Sequence, residues 1–284
     1  MDDEKIKLDQ YDTLVISGGG VKGFNILGAI QALYDANLVN NITTHVGTSI
    51  GAIISYLLAI GYTPIELVVS VYQNRCLERI QQFNLVAMIN GNGATTFTPI
   101  YEMLEKMTLD KIGHLLTMAK LREELGKTLI CTTYNMTTCR VEYLSPDTAP
   151  DLPCLTALRM TANIPLVFDR FRYMDNFYVD GGIADNFSID KGIEYGKKVI
   201  GIYVDLNEKA LQDNPEDGMM NYFFRLLQVP VIQSTRYKIE STKDKASIIR
   251  IKTTQFKNHV QFDVDSKSRL DMFSEGYGQV KMKI

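Results

Sequence analysis

Ser17-Gly18-Gly19-Gly20-Val21-Lys22-Gly23 and, further on, Gly47-Thr48-Ser49-Ile50-Gly51 are the two stretches that decide how this chain is read. Each follows a short apolar run and opens an apolar helical pattern, so each reads as a strand-to-helix turn. Consecutive glycines let backbone N–H groups converge, and a helix N-terminus adds positive potential; the first turn is therefore suited to hold negative charge. The second fits the G-x-S-x-G nucleophile elbow, in which a serine sits on a sharp turn between closely packed strand and helix backbones.

Two other readings of the first turn are weaker. Gly18-x-Gly20-x-x-Gly23 also fits the dinucleotide fingerprint, but that fold needs a carboxylate at the end of the second strand. Here the second strand ends in Gly47-Thr48-Ser49, and Asp35 falls inside the first helix. A P-loop needs Lys-Ser/Thr where this chain has Phe24-Asn25. Nucleotide binding and a purely structural glycine turn stay open as alternatives, as does a plain helix-capping role for Ser49.

Working outward, residues 13–16 read as a buried strand, 24–36 as a helix with Ile26, Leu27, Ile30, Leu33 and Tyr34 on one face, and 42–46 as a second strand. Residues 50–60 form an apolar helix of the buried kind, ended by Gly61 and followed by a helix that Pro64 opens. Alternating strands and helices at this spacing predict parallel βαβ units and an α/β fold. A helix over 65–84, a turn-rich loop at 90–96 and a helix from Pro99 come next. Residues 128–133 and 140–144 read as a hairpin, 155–162 as a short helix, 177–179 as a strand ending at Asp180-Gly181-Gly182, and 199–206 as another buried strand. Residues 207–218 read as a polar surface loop, 219–241 as a helix broken near Pro230, 247–253 as a strand, and the segment from 266 as a helix.

The chain has 284 residues with ordinary hydrophobic content, and no linker divides it, so it reads as one domain: a core over 10–205 with a C-terminal extension over 206–284. A net charge of −3 gives no support to a nucleic-acid partner. Four cysteines without C-x-x-C spacing read as buried, reduced thiols. No apolar leader opens the chain, and its longest apolar run, 53–60, is far short of the ~20 residues of a membrane span. These features predict a soluble, cytoplasmic protein.

A glycine turn for charge and an exposed serine call for a base. His45 lies in the second strand and His114 in a helical stretch. His259 gives Ser49…Asp180…His259 the chain order of an α/β-hydrolase triad, although its surroundings look like an exposed loop. Asp180 stands at a strand end in an Asp-Gly sequence, which by itself reads equally as a turn.

The three blocks Gly18-Gly19-Gly20-Val21-Lys22-Gly23, Gly47-Thr48-Ser49-Ile50-Gly51 and Asp180-Gly181-Gly182, in that order, together resemble the signature motifs of the patatin-like phospholipases. Residues 158–168 resemble the segment that precedes the aspartate strand, with Ala162-Asn163 where the family often has serine. The resemblance covers residues 10–205 well and the rest more loosely. It implies a three-layer α/β/α sandwich around a mainly parallel sheet, a modified α/β-hydrolase fold. It implies a Ser–Asp dyad without histidine, in which Ser49 is the nucleophile and Asp180 the base. Backbone N–H groups of Gly19 and Gly20 would form the oxyanion hole, with Gly18 in the same loop and Lys22 lending positive charge nearby. Expected substrates are phospholipids or lysophospholipids met at a transient membrane surface, with no cofactor and no metal. An inactive lipid-binding scaffold is the alternative within the same fold. Met219, Met220, Tyr222, Phe223 and Phe224 are candidates for a lid or membrane edge, although such a cluster is more often core or an oligomer contact.

Overall fold

The computed structural model of the chain describes residues 6, 10–74, 76–80, 84, 88, 90, 93–205, 219–253 and 264–284. Five parallel strands form most of a mixed sheet: β1 (Thr13–Ile16), β2 (Thr44–Thr48), β3 (Thr128–Asn135), β7 (Val199–Asp205) and β8 (Ala246–Lys252). Three antiparallel strands complete it: β4 (Arg140–Leu144), β5 (Phe171–Tyr173) and β6 (Asn176–Asp180). The order is β5-β6-β3-β2-β1-β7-β8, with β4 also paired to β3.

Strands β1, β3 and β7 carry apolar residues on both faces because both faces are covered. Leu14, Ile16, Leu129, Cys131, Ile200 and Ile202 pack into a large cluster with helices α1 (Gly23–Asp35), α2 (Ile50–Ala59) and α7 (Cys154–Thr161). Their strand neighbours Val15, Val46 and Ile130 point the other way, onto Phe187, the helix α8 (Ile189–Tyr195) and Ile239 of α9 (Met219–Thr242). Helices on both faces of a mainly parallel sheet are the architecture expected from the sequence.

The remaining helices are α3 (Pro64–Asn74), α4 (Cys76–Ile80), α5 (Thr98–Ile112), α6 (Met118–Leu125) and α10 (Ser266–Lys281). The last of these covers α1. A Cβ on Gly28 would lie 1.9 Å from the Phe273 carbonyl oxygen, and one on Gly276 2.0 Å from that of Asn25, so only glycines let the two helices meet this closely. This is why α1 is buried nearly all round rather than on one stripe, while Tyr34, expected inside, stands exposed near its end.

Other local differences have local causes. The second strand runs to Thr48, since Gly47 and Thr48 continue its ladder with β3. The helix expected over 65–84 is found as α3 to Asn74 and α4 over Cys76–Ile80, and by Asn84 the backbone N–H donates to the Ala94 carbonyl instead of to a helical turn. α9 passes through the exposed Pro230 without ending, at the loss of the one helical bond that a proline nitrogen cannot donate. Strand β5 was not expected: it is three residues long and pairs only with β6. Cys76, Cys131 and Cys154 are buried, but Cys139 is exposed in the β3–β4 turn at φ 54. The loop expected over 207–218 lies outside the described residues. Among the described residues no single helix is long and apolar enough to cross a membrane.

Candidate active site

Adjacent parallel strands β1 and β2 end side by side, with Ile16 opposite Gly47, so the two glycine-rich turns open at one edge of the sheet. This is the edge at which α/β sheets bind ligands. Ser49 joins β2 to α2 at φ 55, ψ −127. A non-glycine residue held there stores strain of about 1–3 kcal/mol. The turn is sharp enough that a Cβ on Gly47 would lie 2.4 Å from the Ala52 nitrogen and one on Gly51 2.4 Å from the Ile16 carbonyl oxygen. Both glycines of the G-x-S-x-G pattern are therefore fixed by backbone contact. The Ser49 N–H donates to the Thr161 hydroxyl at 2.9 Å, and Thr161 in turn donates to the Thr132 carbonyl, so the serine is braced by α7 and β3.

The first turn leads through a short 3-10 segment, Gly20–Lys22, into α1. Gly20 has φ 55, a left-handed conformation that favours glycine. The Gly18 N–H donates to the Asn186 carbonyl at 3.1 Å. The N–H groups of Gly19 and Gly20 donate to no other described residue. Lys22 is buried, and burial pushes its pKa down to about 8 against the opposing pull of Asp205.

Asp180 ends β6, across β3 from β2. Its Oδ2 accepts the Ser49 hydroxyl at 2.5 Å, joining residues 131 positions apart, and its Oδ1 accepts the Gly182 N–H at 2.7 Å. Its own N–H donates to the Asn163 carbonyl at 2.9 Å. Asn163 is held in turn by the Arg159 guanidinium and donates to the Tyr178 carbonyl. Asp180 is 5% exposed, and burial raises its pKa to about 6, only partly opposed by the bonds from Ser49 and Gly182.

The segment after Asp180 fastens the two turns to each other. The Thr48 hydroxyl donates to the Asp185 carbonyl at 3.2 Å, while Asn186 bonds Gly18 through both its backbone and its side chain. The Asp185 carboxylate accepts from Tyr143, Ser188 and Lys238. Thr161, Asn163, Asp185 and Lys238 carry no motif of their own; Asp185-Asn186 could be seen in the sequence only as neighbours of Asp180.

Beside Ser49 lies a cavity of about 120 Å³. Ser49, Ile53 and Leu57 of one α2 face line it, with Gly20, Phe24 and Phe97, and no charged side chain of a described residue does. Lys22 is not on its wall.

His45 is buried in β2 and held neutral, its pKa lowered to about 3 by burial and by Lys127. His114 sits in the turn after α5, not within a helix, because Gly113 caps α5 at φ 88; it pairs with Glu124 at the surface. His259 lies outside the described residues, as do the side chains of Met219, Met220, Phe223 and Phe224; Tyr222 is exposed.

Among known proteins, the sequence profile described as patatin-like phospholipase matches residues 14–192. A protein of Invertebrate iridescent virus 6 named a probable lipid hydrolase is 37% identical over 196 residues, covering 68% of this chain and 67% of its own. An uncharacterized protein of Acanthamoeba polyphaga mimivirus is 26% identical across 99% of this chain and 96% of its own. Among solved structures, VipD from Legionella pneumophila superposes with a TM-score of 0.52 at 16% identity, a likeness of fold alone; it covers 96% of this chain, which spans 66% of VipD. With a profile match over more than half its length, the chain belongs to the patatin-like phospholipase family.

Proposed function

We propose that this protein hydrolyses acyl esters of phospholipids or lysophospholipids, with Ser49 as nucleophile and Asp180 as its base. The observation that carries this reading is the direct 2.5 Å bond from the hydroxyl of Ser49, which stands on the wall of an apolar cavity, to Asp180 behind it. With the two side chains in contact, no third group stands between them.

In this mechanism Ser49 Oγ attacks the ester carbonyl while its proton passes to Asp180 Oδ2. The N–H groups of Gly19 and Gly20 receive the developing oxyanion, and each such donor is worth about 2.7–4 kcal/mol. The C–O bond breaks, the leaving alcohol takes the proton from Asp180, and acyl-Ser49 remains. Water then attacks the acyl group, giving one proton to Asp180; as the acyl–Oγ bond breaks Asp180 returns that proton to Ser49 Oγ, and the carboxylic acid departs. A carboxylate near its ordinary pKa of about 3.9 is a weak base for a hydroxyl; burial that moves Asp180 towards 6 improves the match. The apolar cavity suits an acyl chain, and the described residues that line it offer no cation to the phosphates of a nucleotide. We further assign residues 206–284 to the same domain as the core, because β8 extends the sheet and α10 covers α1.

Labelling with a fluorophosphonate tests the reading. Covalent capture at Ser49, lost in Ser49→Ala and sharply slowed in Asp180→Asn, is the expected result. An active Asp180→Asn protein together with a dead His259→Ala protein would transfer the base to His259.

A further inference from the structure

The β5–β6 hairpin reverses at Met174 and Asp175, which stand at φ 43 and 63. Two consecutive positive φ values make a tight turn for which Asn-Gly is the favoured sequence. Methionine has no conformational reason to be there, yet Met174 is 77% exposed. A residue that fits its turn poorly and shows its apolar side chain to water invites a functional reading.

The hairpin projects from the edge of the sheet that carries the site. β6 runs antiparallel to β3, with Asp180 opposite Thr133 and Tyr178 opposite Asn135, so its earlier residues extend past the ends of the central strands. The β3–β4 turn extends alongside, its Met136 N–H donating to the Phe177 carbonyl. Met136 and Phe177 are also exposed. Between the β3–β4 turn and the base of the β5–β6 hairpin lies a recess of about 420 Å³, walled by Met136, Phe177, Arg170 and Phe168 among others. Phe168 also lines the cavity beside Ser49.

Charge accompanies this apolar edge. Residues 136–140 and 170–177 hold Arg140, Arg170 and Arg172 against a single acid, Asp175, in a chain whose net charge is −3. All three arginines are exposed, and the Arg172 guanidinium stacks on the Phe177 ring at 4.6 Å. Charged side chains on an edge strand do guard against unwanted pairing. That role accounts for Arg172 but not for Met174, Phe177 and Met136. Apolar tips flanked by cations match a bilayer interface, where apolar groups enter the acyl boundary and arginines meet anionic head groups.

We infer that the tips of the β3–β4 and β5–β6 hairpins form the surface by which this protein docks onto anionic phospholipid bilayers. The inference takes its lipid substrate from the function proposed above, but its test uses no catalysis. Ser49→Ala protein, which leaves lipid intact, is mixed with phosphatidylcholine vesicles with or without about 30 mol% phosphatidylserine, and binding is read by co-sedimentation. Binding should require phosphatidylserine and weaken with salt. Met174→Asn with Asp175→Gly installs the favoured turn while deleting the apolar tip; binding should fall about fivefold with Tm held or raised. Arg170→Glu with Arg172→Glu should lower binding to anionic vesicles at least about tenfold. A parent protein that ignores anionic vesicles, or variants that bind them undiminished, would overturn the inference. So would a dimer that these variants turn into a monomer while vesicle binding is unchanged, which would give the edge to a second copy of the chain.

Discussion

Lys238 Nζ lies 2.7 Å from Asp185 Oδ2 and reaches Asp190 Oδ1 at 2.8 Å with the same amine. One side chain of α9 thus fixes the segment that ties Thr48 to Gly18. Replacing Lys238 with Met leaves the buried Asp185 carboxylate without its cation. Breaking a fully buried pair costs about 3–5 kcal/mol, and the partial exposure of Lys238 reduces this to about 1–3 kcal/mol. Urea titration should show that loss, and kcat on a soluble ester should fall about tenfold as the two turns drift. Adding Asp185→Asn should restore part of the stability, because the stranded charge is then gone.

In the proposed mechanism Asp180 must be ionised to accept a proton from Ser49. Its raised pKa of about 6 predicts that kcat/KM falls tenfold per pH unit below that value and levels off above it. A pH–rate profile on a neutral ester checks this.

The same burial links Asp180 to stability with a definite sign. A carboxyl whose pKa is higher in the folded state favours folding below its unfolded pKa, and that contribution is lost as pH rises through about 6. Above pH 6 the protein therefore holds a buried carboxylate that asparagine would replace without charge. Asp180→Asn should be inactive yet more stable than wild type at pH 7.5, on the order of 2 kcal/mol, with the difference vanishing near pH 4. Denaturant titrations of both proteins at the two pH values measure it.

Ser49 occupies a conformation that costs about 1–3 kcal/mol for any residue with a Cβ. Ser49→Ala keeps that strain and Ser49→Gly relieves it. Both should be inactive, with the glycine variant more stable than the alanine variant by about 1 kcal/mol once its larger chain entropy is counted. Thermal unfolding of the pair decides it.

Leu57 lies two helical turns beyond Ser49 on the cavity wall. Leu57→Trp should shorten the space for an acyl chain, lowering the ratio of long-chain to short-chain ester hydrolysis about tenfold. Overpacking costs about 1–3 kcal/mol, so a matched measurement of Tm accompanies the chain-length profile.

What the sequence revealed followed from local rules. Gly47 and Gly51 are legible because a serine elbow packs backbone against backbone, and β1 is legible because Leu14, Val15 and Ile16 run unbroken through it. The supporting contacts are not of that kind. Thr161 meets Ser49 across 112 positions and Lys238 meets Asp185 across 53, and neither leaves a periodic or spacing signal. Lys22 shows the limit of reading charge from position: just before the first helix it could point towards the cavity or away, and packing buries it where Asp205 acts on its charge. The β5–β6 hairpin was obscured for another reason, since Met174-Asp175 is not a turn sequence by preference.

The crossing of α1 and α10 through Gly28 and Gly276 sets a timetable for synthesis. The glycine turn, Ser49 and Asp180 leave the ribosome well before residues 266–281, and until those arrive one side of α1 has only water to pack against. Because α1 starts where the glycine turn ends, we expect the turn to gain its final shape only after α10 docks. Translation-arrested chains released at successive lengths should stay unreactive towards a fluorophosphonate until that helix is present.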